Sequence, residues 1–198
     1  MRVIRLTHGA GNGVDRACLM TATSMLAGVP EQLDNTSCVC PMLRAFIVKT
    51  NDAMPEELLG ELYGPLAWEI LGTATDDREV MQARAYAFAD SAVREIAPMA
   101  LRDAGLEEAA KRLESLPEIR DKESARAAAA DAAHAAADAA DADARAAADA
   151  AAYAAAYAAS QSRLWRKCPD IIRRVASIGD KRPVECVIDC EQLAEALA

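Results

Sequence analysis

Apolar positions along most of this chain recur in steps of three and four residues, the spacing that places side chains on one face of an α-helix. Asp15 opens the first such segment, and Gly28 with Pro30 closes it. Residues 2–6, where apolar side chains alternate with arginines, indicate a short strand. The pattern predicts an all-α, multi-helical region over residues 1–117, with further helices at about 41–50, 55–63, 66–71, 78–97 and 106–116.

The second region, 118–198, is dominated by alanine. Between 119 and 167 the chain has neither proline nor glycine, and alanine is the strongest helix former. One helix is therefore predicted, about 70 Å long if straight. Pro169 is predicted to end it, and residues 170–178 and 188–197 are predicted to form short capping helices.

Polar residues interrupt the alanines at steps of three or four, which places them on one face of the long helix. The remaining faces are nearly pure alanine, and small side chains let a neighbouring backbone approach closely. A helix of about 70 Å is longer than the diameter of a small domain. The chain is therefore predicted to form a homo-oligomer in which the long helices of two copies pair. The polar positions are Asp131, His134, Asp138, Asp141, Arg145, Asp149, Tyr153 and Tyr157.

Net charge narrows the range of partners. The chain carries a formal charge of −9, which argues against general nucleic-acid binding and against anionic membrane surfaces. A basic protein partner remains compatible with it. No apolar stretch approaches the length of a membrane span, and the first residues lack the apolar core of an export signal. The protein is therefore expected in the cytoplasm.

A glycine-rich segment, HGAGNG at residues 8–13, is the first candidate site. It resembles a loop that cradles phosphate, although its spacing fits neither the dinucleotide fingerprint nor the P-loop. Because a helix is predicted just after it, free backbone amides could face an anion, with His8 and Asn12 as candidate ligand-binding residues. The alternative is a plain flexible connection.

Arginines form the second candidate site. Arg84 and Arg94 lie in a segment that is otherwise rich in apolar residues and alanine, and Arg44 lies in the helix predicted from Pro41. Guanidinium groups bind phosphate and carboxylate through paired hydrogen bonds. The alternative is that they form salt bridges with Asp77, Glu79 or Asp90.

Six cysteines occur, and without an export signal they are expected to be free thiols. Cys18 with His8 could act as nucleophile and base, but a helical cysteine between apolar residues is usually a small core residue. Neither cofactor nor metal is predicted. The metal alternatives are Cys38 and Cys40 with Cys18 or His8, the pair Cys186 and Cys190, and the carboxylate-rich face around His134.

The order of several short motifs resembles a widespread group of uncharacterised alanine-rich proteins of bacteriophages and bacteria. The motifs are RACLMTA, CVCP, RAYAFADSAVREIAP, ALRDAGLEEAAKRLESLP and the alanine run with its Asp and Tyr residues. The resemblance covers most of the chain and implies that the glycine-rich segment is a linker of varying length. The alanine run alone also resembles putative toxin-immunity proteins. No catalytic residue follows from either resemblance.

Together these features predict a non-enzymatic, phage-encoded accessory protein acting in the host cytoplasm. It is expected to bind and sequester a small anionic ligand, such as a nucleotide immune signal, and so to counter host defence. One alternative is an acidic inhibitor or immunity protein that binds a protein partner. A third is an enzyme that depends on Cys18.

Overall fold

The computed structural model describes residues 5–9, 11–12, 15–29, 36–132 and 150–182, with the backbone alone for 150–162. The described chain is predominantly helical and contains one very small sheet, which confirms the predicted all-α class. It divides into two compact units. The first contains the described residues up to Met81 together with those from Cys168 onward, and the second runs from Gln82 to Lys167.

Two short parallel strands begin the first unit. The strands β1 (Arg5–Leu6) and β2 (Arg16–Ala17) pair with Arg5 opposite Arg16 and Leu6 opposite Ala17. Both arginines are exposed, and both apolar partners are buried. The predicted strand over 2–6 is present at Arg5–Leu6, while residues 1–4 lie outside the described part. The sequence did not predict β2, because two residues are too few to show a period-two pattern.

The first helix starts later than the sequence suggested. Helix α1 (Leu19–Leu26) follows β2, and the side chain of Cys18 caps it by accepting from the Thr21 amide at 3.3 Å. The prediction of a helix opening at Asp15 is therefore wrong, because residues 16 and 17 pair with β1 instead. The predicted end is correct, since Gly28 has a φ of +72°, a conformation that glycine adopts without strain.

Three more helices and part of a fourth build the core of the first unit. They are α2 (Pro41–Ala53), α3 (Glu56–Tyr63) and α4 (Leu66–Glu69), close to their predicted positions. Pro41 occupies the first turn of α2, where its missing N–H costs nothing. Their fully buried side chains form the core with residues from the end of the chain's last described helix: Leu43, Ile47, Leu59, Tyr63, Leu66, Ile171, Ile172 and Val175.

Helix α5 (Arg78–Ser91) begins where the helix at 78–97 was predicted to begin, and a side chain caps it. Asp77 Oδ1 accepts from the amides of Glu79 and Val80 at 2.8 and 3.3 Å. A π-helical turn, Ala92–Ile96, follows directly, and α6 (Ala97–Asp103) continues the chain. Pro98 has no N–H for the usual i→i−4 bond, and the wider turn adjusts the helix just before it. The helix type thus changes just before Pro98.

Helix α7 (Glu107–Glu114) packs against α6 after a turn at Gly105, whose φ is +76°. The apolar cluster of this hairpin holds Leu101, Ala109, Ala110 and Leu113, with Val93 and Leu106 packed at its edge. On the outside, Arg102 binds the Glu114 carboxylate through two bonds of 2.5 and 2.6 Å. The predicted helix at 106–116 is therefore present, shortened by one or two residues at each end.

The alanine-rich helix is described only at its two ends. Residues 122–132 form α8, capped by Asp121, whose Oδ1 accepts from the Ser124 amide at 2.8 Å. Helix α9 (Ala150–Ala176) then runs past Pro169, so the prediction that Pro169 ends the helix is wrong. Ile171, Ile172 and Val175 are fully buried beyond it, and this burial offsets the proline's cost of about 3 kcal/mol.

The predicted helix at 170–178 is the end of α9. The helix predicted at 188–197 and the polar positions from His134 to Asp149 lie outside the described residues.

Candidate functional site

The loop that joins β1 to β2 surrounds a cleft of about 230 Å³. Its lining residues are Thr7, His8, Gly11, Asn12 and Arg16. We call this the β1–β2 cleft. It combines one guanidinium group, one imidazole, one carboxamide and one hydroxyl with a glycine backbone, and four of the five residues carry polar side chains. His8, Gly11 and Asn12 of the glycine-rich segment singled out in the sequence therefore line part of a polar concavity.

Gly11 and Asn12 give the loop its shape. Gly11 has a φ of +71°, and a Cβ at this position would lie 2.2 Å from the Arg16 carbonyl oxygen. Only glycine therefore fits here. The Asn12 amide donates to that same Arg16 oxygen at 2.9 Å. Asn12 Oδ1 accepts from the amides of Asp15 and Arg16 at 3.2 and 3.1 Å, which holds the start of β2 against the loop.

The other side of the loop is fixed to the end of α2. His8 Nε2 lies 2.7 Å from the Met54 carbonyl oxygen, and the Gly9 amide donates to Asp52 Oδ1 at 3.0 Å. Because a carbonyl oxygen can only accept, Nε2 carries the proton in this contact. The ring's other nitrogen, Nδ1, is then an acceptor in the neutral imidazole.

Asn51 connects the loop with α1. Its Nδ2 donates to the Thr7 carbonyl oxygen at 3.0 Å, and its Oδ1 accepts from the Leu19 amide at 3.2 Å. The side chain is fully buried, so it satisfies two backbone groups that water cannot reach. The sequence indicated Asn51 only as a helix stop, although a polar residue on the inner face of an apolar helix could have marked it as a buried anchor.

The arrangement around Asn51 changes the earlier interpretation of the loop as an anion cradle. The amides of α1 were expected to face the ligand, but the Leu19 amide is bonded to Asn51 and the Thr21 amide to Cys18. Leu19 is also fully buried. Side chains, rather than the start of a helix, are therefore the groups that this cleft offers to an anion.

Two arginines share one carboxylate beside the cleft. Glu56 Oε1 lies 3.9 Å from Arg5 Nε and 3.6 Å from Arg16 Nη2. Both distances exceed a normal hydrogen bond of about 2.7–3.2 Å, so each pairing is loose. Both arginine side chains are more than half exposed. A single negative charge thus faces two positive ones, and only Arg16 lines the β1–β2 cleft.

Thr7 provides the least expected feature of the cleft. It is 2% exposed, and its hydroxyl has no hydrogen-bond partner among the described residues. Its backbone is fully used, since the amide donates to Ala17 and the carbonyl accepts from Asn51. A buried hydroxyl without a partner costs about 1–3 kcal/mol, so such groups are uncommon in folded proteins. No signal in the sequence pointed to Thr7 or to Arg16.

The arginines that the sequence nominated lie elsewhere. Arg84 is fully buried in the second unit. Arg94 pairs with Asp90 at 3.1 Å, and the same Asp90 oxygen accepts from the Ile119 amide at 2.9 Å. The salt bridge considered as the alternative is thus present for Arg94, where it ties the π-helical turn to the chain before α8. Arg44 is half-buried on α2, and none of the three lines the β1–β2 cleft.

The proposed nucleophile and base do not meet. The described hydrogen bonds of His8 and Cys18 go to Met54 and Thr21, respectively. Cys18 instead lines a separate cavity of about 20 Å³ beside Gly9 and Asn51, room for a single water molecule. These contacts give no geometric support to an enzyme based on this pair.

The four cysteines in the described part of the chain are free thiols: Cys18, Cys38, Cys40 and Cys168. Cys38 Sγ lies 3.2 Å from Thr36 Oγ1, and Cys40 Sγ lies 3.8 Å from Met81 Sδ. Burial raises the pKa of the Cys168 thiol to about 11. Among residues 5–132 and 163–182 that are described, no three His, Cys, Asp or Glu side chains form a metal-binding group. Cys186, Cys190 and His134 fall outside that part.

Comparison with protein-family models, with curated proteins and with solved structures finds no match for this chain. The candidate site therefore stands on its own geometry. Within the described helices, none is both long enough and apolar enough to cross a membrane.

Proposed function

We propose that this protein binds and sequesters a small anionic ligand in the β1–β2 cleft. The observation that supports this most strongly is that Thr7 lines the cleft and that its buried hydroxyl has no described partner. A ligand that reached this hydroxyl through a small local shift of the cleft wall would recover part of the cost of burying it. Binding would thus gain free energy from a group that the empty fold leaves unsatisfied.

Arg16 supplies the charge that an acidic chain needs in order to attract an anion. Its guanidinium carries several N–H donors in one plane, a geometry that matches phosphate and carboxylate oxygens. Glu56 engages Arg16 loosely, at 3.6 Å, and Arg5 shares the same carboxylate. The nearby Asp15 and Asp52 carboxylates already accept bonds from Asn12 and Gly9 within the loop.

The proposed site thus keeps His8 and Asn12 from the sequence prediction and replaces its three arginines with Arg16. The resemblance to bacteriophage proteins is the ground for including nucleotide signals of the host among the candidate ligands. The sequestering role, and any origin in a phage, rest on that resemblance and on the cleft together.

Calorimetry on the full chain tests the proposal with inorganic phosphate, AMP and a cyclic dinucleotide as probes. Arg16→Ala removes a charge-assisted contact worth about 1.5–3 kcal/mol, so affinity should fall about ten- to a hundredfold. Arg5→Ala is the matched control, because Arg5 faces Arg16 in register and shares Glu56 but does not line the cleft. Its affinity should change less than about threefold, since it loses only an exposed charge.

Two results would overturn the proposal. One is the absence of binding by every anion tested, which would leave the inhibitor of a basic protein as the hypothesis to pursue. The other is an equal loss of affinity in Arg5→Ala and Arg16→Ala, which would indicate general attraction to a positive surface. Native mass spectrometry of protein purified from cells adds an independent measurement, because it reports any retained ligand by mass.

A further inference from the structure

The lining of the β1–β2 cleft offers polar groups and little else. Its side chains are those of Thr7, His8, Asn12 and Arg16, and Gly11 contributes backbone. Pockets that recognise a nucleobase usually hold its flat face against apolar or aromatic side chains. No Phe, Tyr, Trp, Leu, Ile or Met is among the lining residues described for this cleft. The described lining therefore has the chemistry to bind charged and hydroxyl groups and includes no platform for a base.

The size of the cleft leads to the same conclusion. Its volume of about 230 Å³ equals that of roughly eight liquid water molecules at about 30 Å³ each. Pockets that enclose a drug-sized ligand hold about 300–1,000 Å³. A phosphate group with a short chain of hydroxylated carbons fills this volume, and the remainder of a larger ligand such as a cyclic dinucleotide would lie outside the cleft.

His8 adds a requirement for a hydroxyl group. His8 Nε2 donates to the Met54 carbonyl oxygen, and in the neutral imidazole Nδ1 is then the ring's acceptor. A phosphate oxygen without a proton cannot donate to this nitrogen, but an alcohol can. Arg16 donates to an anion, Thr7 can donate or accept, and His8 accepts. The complementary ligand carries an anionic group and at least one neighbouring hydroxyl.

We infer that the β1–β2 cleft recognises a small hydroxylated phosphate ester, of the sugar-phosphate type, and makes no use of a nucleobase. This inference rests on the proposed function and narrows its ligand class. A nucleotide binds, on this basis, only through its ribose phosphate.

Titration calorimetry with two sets of probes tests the inference. The first set compares ribose 5-phosphate with AMP, GMP, CMP and UMP. We expect ribose 5-phosphate to bind at least as tightly as any of them, and the four nucleotides to agree within about threefold, because no described lining group reads the base. The second set compares glycerol 3-phosphate with propyl phosphate, which lacks the hydroxyls. One neutral hydrogen bond contributes about 0.5–1.5 kcal/mol, or roughly two- to tenfold in affinity, so glycerol 3-phosphate should bind more tightly by that factor.

His8→Gln provides the matched variant for the hydroxyl requirement. The glutamine amide can still donate to the Met54 carbonyl oxygen, so the loop keeps its anchor, but the acceptor moves from the Nδ1 position to the amide oxygen beside that donor. In this variant the preference for glycerol 3-phosphate over propyl phosphate should fall, because the acceptor no longer stands at the Nδ1 position. An unchanged preference would contradict the role of His8 and overturn the requirement for a hydroxyl.

The outcomes separate this inference from the proposed function. If a nucleotide binds more than tenfold tighter than ribose 5-phosphate, and Arg16→Ala abolishes that binding, the inference is wrong and the proposed function stands. If neither the phosphate esters nor the nucleotides bind, both are wrong. If ribose 5-phosphate binding depends on Arg16 and the affinity does not change when a base is added to the ribose, both the inference and the proposed function are supported.

Discussion

Replacing Thr7 with valine should stabilise the ligand-free protein, the reverse of the usual effect of a mutation at a buried position. Valine keeps the branched shape and exchanges the hydroxyl for a methyl group. Thr7 is 2% exposed and its hydroxyl has no described partner. The substitution removes a desolvation cost of about 1–3 kcal/mol, and β-branched residues suit the extended backbone after β1. We expect the free energy of unfolding to rise by about 1–2 kcal/mol.

Urea denaturation measures this change. With a slope of about 2 kcal/mol per molar urea, the midpoint should rise by about 0.5–1 M. Trp68 lies in the same compact unit as Thr7, and Trp165 lies in the other. Fluorescence in a Trp165→Phe background therefore reports the unfolding of the unit that contains the cleft. The protein should be refolded from urea beforehand, so that no retained ligand adds to its apparent stability.

Thr73→Val is the matched control for this substitution. Thr73 is fully buried like Thr7, but its Oγ1 accepts from the Cys40 amide at 3.1 Å and donates to the Ile70 carbonyl oxygen at 2.7 Å. The same chemical change should destabilise the protein here by about 1–3 kcal/mol, because a buried backbone amide loses its partner. If Thr7→Val lowers the midpoint as much as Thr73→Val does, the Thr7 hydroxyl has a partner in solution and the main support for the site is lost.

Two further predictions concern the loop and the thiols. Gly11→Ala should abolish the Arg16-dependent binding of phosphate esters, because its Cβ would lie 2.2 Å from a backbone oxygen. Gly9→Ala meets no atom within 4 Å, so this variant should still fold, with a loss of about 1–2 kcal/mol in the free energy of unfolding from its positive φ. Calorimetry and urea titration compare the two variants, and equal behaviour would contradict the described loop. Iodoacetamide at pH 8 should label the half-buried Cys38 at least tenfold faster than Cys168. The reason is that the thiolate is the reactive form and that burial raises the pKa of Cys168 to about 11. Peptide mass spectrometry measures both labelling rates, and similar rates for the two cysteines would refute the burial of Cys168.

Much of the fold could be predicted from the sequence because its boundaries are local. Gly28 ends its helical segment with positive φ, as predicted, and Gly105 and Asp77 mark helix boundaries in the same local way. Each of these signals acts within one helical turn of its own residue, so the neighbouring residues in the sequence are enough to predict the helix boundary. The failures came where distant residues decide. The burial of α9 beyond Pro169 outweighs a local helix breaker, and β2 exists only because β1 lies beside it.

The site was harder to predict for the same reason. His8 and Asn12 belong to a recognisable glycine-rich segment, whereas Thr7 and Arg16 join them only through the pairing of β1 with β2. Of the two arginines that the register sets opposite each other, Arg16 lines the cleft and Arg5 does not. The arginines chosen from the sequence were selected for their apolar surroundings. That criterion identified Arg84, which is buried, and Arg94, which is held by Asp90.

The connection between the two strands explains why a concavity forms at this point in the chain. Parallel strands are usually joined by a crossover of a dozen or more residues, but only nine residues separate Leu6 from Arg16. The chain must reverse twice within that length, and Gly9 and Gly11 supply positive φ values of 63° and 71° for the bends. The second bend brings Gly11 into an antiparallel bridge with Ala17. A linker would not need these constraints, nor the bonds from Asn51, Asp52 and Met54 that hold the loop in place. A short connection forced into this path surrounds a space with its own polar groups, and the unpaired hydroxyl of Thr7 is the group for which the fold itself provides no described partner.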